Sequence, residues 1–312
     1  MMMMMKQWTL VLLLLCSLVL TACGAPSAEQ ATQGGYATIT DDNGRTVTFD
    51  KKPERIVVTS ASFIAPLYAV GGEVVGRPVT KSKVLPAAEK AATIGPVYQI
   101  DTEKIIALTP DLVIINKGMN EKLIETLAAN DIKTLVIEMK SYEDVKREIG
   151  TFAALTGEKA KGDELVAKMD ADIEAVRTSI PQEKKRISII HSTGQGLSVQ
   201  LDGSIAGSIA KMLGWENTAA GMPALDKNPD AAPYSMETLV AQNPDIIFVT
   251  SMGEEAEIRA SMEAMFAESP AWKSVGAIRD GRVYSLPQEL FLFSPGIEYP
   301  AAVKYMARLI YP

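Results

Sequence analysis

The chain has 312 residues, 47% of them hydrophobic, enough to bury one large core or two smaller ones, and two lobes are the expected division. A formal net charge of −7, a sequence pI near 5.0 and the lack of any basic run interleaved with aromatics exclude nucleic acid as the partner. An anionic ligand would need a local positive pocket.

The N-terminus reads as a targeting segment. Lys6 makes its start positive, and Leu10 to Leu20 is an apolar run of 11 residues, too short to span a bilayer. The stretch Leu20-Thr21-Ala22-Cys23-Gly24 resembles a bacterial lipobox, which implies a signal peptide over 1–22 cut before Cys23 and acylation of that cysteine. The alternative is a plain secretory signal or a helical anchor with a chance cysteine. Cleavage takes Cys16 and Lys6 with it, leaving no second thiol for a disulfide and a charge of −8. Residues 23–35, rich in Ala, Ser, Gln and Gly, read as a flexible tether.

Tyr36 to Phe49 alternates on either side of Asp42-Asn43-Gly44 and reads as a β-hairpin. Short apolar runs follow with helical stretches between them: Arg55 to Thr59, Glu73 to Gly76, Asp111 to Asn116, Thr134 to Glu138, Arg186 to His191, Asp245 to Ser251 and Arg282 to Leu286. Strands alternating with helices predict a parallel α/β sheet. Thr102 to Ile115 is echoed by Met236 to Val249, each with Glu seven residues before Pro-Asp and then a buried strand. The offset of 134 residues is about one domain length and points to duplicated lobes, although such units are common in any α/β fold. Between the copies, Glu158 to Ser179 carries Leu165, Val166, Met169, Ile173 and Val176 at helical spacing, and Pro181 ends it. A helix of that length is about 30 Å long and reads as a strut, or else as a surface helix of the first lobe.

The order hairpin, Pro53-Glu54-Arg55-Ile56-Val57, Thr102 to Ile115, strut, second lobe and Gly281-Arg282-Val283-Tyr284 is similar to that of the iron-complex and cobalamin binding proteins of ABC importers. The resemblance covers essentially everything after Cys23. It implies an α/β fold of two Rossmann-like lobes with parallel sheets, 36–157 and 181–312, joined by one long α-helix, 158–180, with the ligand cleft between them. It also implies small closure movements, no cofactor, a monomer, and a permease with its ATPase as partner. Glu103 and Glu237 match the positions at which similar proteins dock into the permease, where two separated carboxylates fix orientation. Each also suits the first turn of a helix through the dipole.

Ligands of open α/β sheets lie beyond the carboxyl ends of the strands. That rule selects Ser60, Ser62, Arg77, Lys81, Lys83, Tyr98, Lys117 and Met119 in the first lobe, and His191, Gln195, Met252, Gln288 and Phe291 in the second. Tyr98 and Met252 match places where haem-binding relatives carry axial ligands, and both residue types can bind haem iron; histidine would be the commoner residue at the second. A single histidine speaks against a bare zinc or manganese site. The expected function is therefore capture of an iron complex, a ferric siderophore or haem. Cobalamin is the alternative, disfavoured by an aromatic content of 6%. No phosphate loop or Gly-x-Ser-x-Gly elbow is present, so an enzyme reading reduces to a hydrolase with His191 as base. A protein-binding surface lipoprotein is the remaining class.

Overall fold

The computed structural model describes residues 35–80, 84–193, 196–252 and 270–312, together with 256, 260 and 262–264. The leader, Cys23, all of the tether but Gly35, Lys81, Lys83 and Gln195 lie outside the described residues.

Alternation of small and β-branched residues gives the hairpin, β1 (Ala37–Thr40) and β2 (Thr46–Phe49), with Ile39 opposite Val47. Gly44 takes the left-handed conformation, φ 73°, that closes its turn. The turn is anchored as well. Asp41 and Asp42 accept from the backbone N–H groups of Val136 and Glu138, which covers an otherwise open sheet edge.

That sheet comprises β3 (Ile56–Val58), β4 (Val74–Val79), β5 (Ala92–Pro96), β6 (Leu112–Asn116) and β7 (Lys133–Ile137), all parallel in the order β5-β4-β3-β6-β7. Its central strands are buried on both faces, which is why Leu112 to Ile115 is continuously apolar. Strand order reverses between β3 and β6, the point beyond whose carboxyl ends open α/β sheets hold their ligands.

The second sheet contains β8 (Arg186–Thr193), β9 (Gly196–Gln200), β10 (Glu216–Asn217), β11 (Ala231–Pro233), β12 (Ile246–Ser251) and β13 (Val283–Leu286). Strands β10, β8, β12 and β13 are parallel, whereas β9 runs against β8 and pairs antiparallel with β11, which thereby runs in the direction of β8 again. Only two residues separate β8 from β9, a connection that permits a hairpin and no crossover. The reversal point here lies between β8 and β12, where Thr250 stands beside His191.

Ser141 and Asp144 form a reciprocal capping box that starts the Tyr142–Thr156 helix, and Gly157, φ 74°, ends it. The linking helix follows as Lys159–Ser179. Gly162 lets these two helices approach: a Cβ there would lie 2.6 Å from that of Ala153. Met169 and Ile173 bury the strut's inner face. The C-terminal helix Tyr299–Ile310 packs against the strut and against Ile205–Met212. Tyr299, fully buried, donates to Lys140 O at 3.0 Å, meets the Ser208 hydroxyl at 3.2 Å and packs on the Tyr142 ring. One apolar cluster therefore runs unbroken from Val58 and Phe63 through Phe152, Met169 and Ile173 to Phe248 and Met306. The architecture is α/β, two Rossmann-like lobes joined by one long helix with a cleft between them.

Candidate functional site

The two echoed segments fold alike. In the first, Asp101 caps the helix Thr102–Ala107 by accepting from Lys104 N–H; in the second, Ser235 caps Met236–Gln242 through Thr238 N–H. Thr109 and Asn243 then turn left-handed, φ 44° and 41°. Asp111 accepts from the N–H of Arg55, Asp245 from that of Arg186, and the two arginines donate in turn to the carbonyls of Thr109 and Asn243. Glu103 and Glu237 are thereby the second residue of equivalent helices, both exposed. Because a helix between parallel strands runs against them, its N-terminus lies at the carboxyl edge. Both glutamates stand on the cleft side of their sheets.

At the carboxyl edge of the first sheet, Thr59 is buried and its hydroxyl accepts from Asn116 N–H at 2.9 Å, joining the two strands at the reversal point. Ser60 spends its hydroxyl on Ser62 N–H at the start of the next helical turn, and both serines are half-buried. Arg77 lies within β4, donating to Ala88 O and Pro78 O at 3.1 and 3.2 Å. Lys117 pairs with Glu138 at 3.1 Å, and that hydrogen bond raises its pKa further above the usual lysine range. Two of the expected ligand-pairing cations are thus engaged within the protein. Tyr98, by contrast, is 75% exposed and Met119 48%.

In the second lobe His191 is half-buried with Nδ1 3.0 Å from the Thr250 hydroxyl. Burial depresses its pKa below the usual imidazole value, against a smaller opposing effect of the hydrogen bond with Thr250. Met252, directly beyond β12, is 60% exposed, and Gln288 is half-buried at the start of a short helix. Phe291 is a correction to the expected lining. It is 1% exposed and packs on Tyr305, because the Gln288–Phe291 helix turns its last residue into the core. Phe293, two residues on, is exposed instead.

Sequence reasoning missed Val79, exposed at the end of β4, by ending that strand at Gly76. It also missed Leu85, Phe293 and the buried Asn120, none of which directly follows one of the strand-like runs. Among the described residues, no group of three or more His, Cys, Asp or Glu side chains is placed to hold a metal, and no helix is long and apolar enough to cross a membrane. Beyond the strands of the first sheet the chain thus presents the Tyr98 phenol and the Met119 thioether, and beyond those of the second the Met252 thioether, with the His191 imidazole near the end of β8.

The periplasmic binding protein family model matches residues 56–290, and the chain belongs to this family. It is a solute-binding protein, not an enzyme, which sets aside the hydrolase reading of His191. It is 28% identical to the iron(3+)-hydroxamate-binding protein FhuD of Bacillus subtilis over 94% of both chains. It is 27% identical to the ABC transporter substrate-binding lipoprotein YvrC of the same organism, over 96% of this chain and 95% of that one. The crystal structure of Staphylococcus aureus IsdE complexed with heme shares its fold with a TM-score of 0.71 at 20% identity, covering 83% of this chain and 99% of that one.

Proposed function

We propose that this chain is the extracytoplasmic receptor of an ABC importer for a bulky iron complex of low net charge, with haem as the first choice. Lipid on Cys23 holds it to the membrane, residues 23–35 serve as tether, and lobes 36–157 and 181–312 enclose the ligand as a monomer. The observation that supports this reading is a pair of exposed side chains of types that can ligate haem iron, Tyr98 in one lobe and Met252 in the other, each just beyond the carboxyl end of a strand. Ser62, Met119, His191 and Gln288 complete the proposed lining, with Val79 and Phe293 as apolar cover.

A neutral ferric hydroxamate is the second reading. It is favoured by the pairing of Lys117 with Glu138, which takes up the charge of one expected cation that would otherwise help to neutralise a polyanionic ligand such as ferric citrate. Glu103 and Glu237 are the proposed contacts to the permease.

Optical titration of haemin into the full chain tests the first reading. A saturable shift of the haem band at one equivalent is expected, with affinity lowered about tenfold or more, about 1.4 kcal/mol, in both Tyr98→Ala and Met252→Ala. A titration without saturation removes haem and leaves the hydroxamate reading.

A further inference from the structure

The segment that presents Tyr98 is a closed four-residue turn. Gln99 N–H donates to Pro96 O at 2.8 Å, so Val97 and Tyr98 occupy the two central positions. Its base is fixed: Asp101 N–H donates to Ile94 O at 2.8 Å, and Gly95 sits at φ 98° with Gln99 O only 2.7 Å from where a Cβ would stand. The remaining freedom of such a turn is the peptide between its central residues, whose flip interconverts turn types and redirects the second central side chain.

Asn120 removes that freedom. It is 1% exposed, belongs to the loop after β6, and donates through Nδ2 to Val97 O, the carbonyl of that peptide, at 2.9 Å. The orientation of its amide follows from chemistry, since only the NH2 end can face a carbonyl. Asn120 is itself held by its backbone, which donates to Asn116 O at 3.2 Å and accepts from Leu123 N–H at 3.0 Å. Met119, exposed beside it, is carried by the same loop.

We propose that Asn120 is a positioning residue of the ligand site, which locks the Val97–Tyr98 peptide, sets the direction in which the Tyr98 phenol is presented, and couples the Tyr98 turn to the Met119 loop. Its importance for binding rests on the reading of Tyr98 as a ligand contact; its action on the turn does not.

Two measurements on the full chain separate these points. Hydrogen exchange of the Gln99 amide reads the clamp without any ligand: in Asn120→Ala, and in Asn120→Leu as a shape-preserving second variant, it should accelerate about tenfold or more while β6 amides keep their protection. Unchanged Gln99 exchange in a folded variant overturns the proposal. Haemin titration then compares Asn120→Ala with and without Tyr98→Ala. The clamp predicts about tenfold weaker binding and a displaced haem band when Tyr98 is present, and less than about twofold further loss when it is absent. Equal losses on both backgrounds assign Asn120 a merely structural part and overturn its positioning role. If the wild-type chain does not bind haemin, the haem reading fails, and Gln99 exchange alone decides the clamp.

Discussion

Glu148 is 2% exposed, and its Oε1 accepts from Arg147 Nε at 2.8 Å, while the same guanidinium reaches Asp42 at 2.9 Å and Asp144 at 2.8 Å. Burial, aided by the Asp42 charge and opposed by Arg147, raises its pKa from the usual 4.5 to about 7. The folded state therefore keeps a proton that the unfolded chain releases. This group's stabilising contribution is complete below about pH 4.5 and is lost as pH rises through 7, on the order of 3 kcal/mol in all. Denaturant unfolding of Glu148→Gln should show a flatter pH profile than the wild type by about that amount between pH 5 and 8; parallel profiles would refute it. Among the candidate side chains, Met252 was legible as the residue directly after an apolar run, because strand ends fix where a chain emerges, whereas Tyr98 rested on the family resemblance, its strand β5 having no such run. Phe291 was misread because a single turn of helix after Pro287 redirects it, and Asn120 was invisible because its role is a contact with a residue 23 positions away.

At the level of elements, the paired Pro-Asp units explain each other. Both need a left-handed residue before proline, and Asn243 suits that conformation better than the β-branched Thr109. Thr109→Asn should raise the unfolding free energy by about 0.5–1 kcal/mol, as measured by denaturant titration, and destabilisation would show that the twins differ in some further contact. Besides the hairpin strands β1 and β2, the strands read from sequence were those with apolar runs, namely β3, β4, β6, β7, β8, β12 and β13. The four others escaped for physical reasons. Strand β5 ends in Gly-Pro at an exposed edge, β10 has two residues, and β9 and β11 are partly exposed antiparallel additions without a long apolar stretch. The strut was legible because nothing in it but Gly162 disfavours a helix and only one face is apolar.

For the whole molecule, the core is continuous through the strut, and Tyr299 contacts Lys140 on one side and Ser208 on the other. Recognition by a permease then falls to fixed surface points. Glu103→Ala and Glu237→Ala should leave ligand affinity within about twofold of wild type while sharply reducing uptake of the iron complex by cells, the double substitution most of all. Loss of affinity in either variant would place that glutamate in the ligand site instead. The central claim, capture of an iron complex of low net charge, is tested most directly by quenching of Trp215 and Trp272, the tryptophans beyond the leader, with haemin, a neutral ferric hydroxamate, ferric citrate and cobalamin in parallel. The account predicts one-to-one saturation by haemin or the hydroxamate and none by citrate or cobalamin; saturation by ferric citrate or cobalamin alone, or by none of the four, would contradict it.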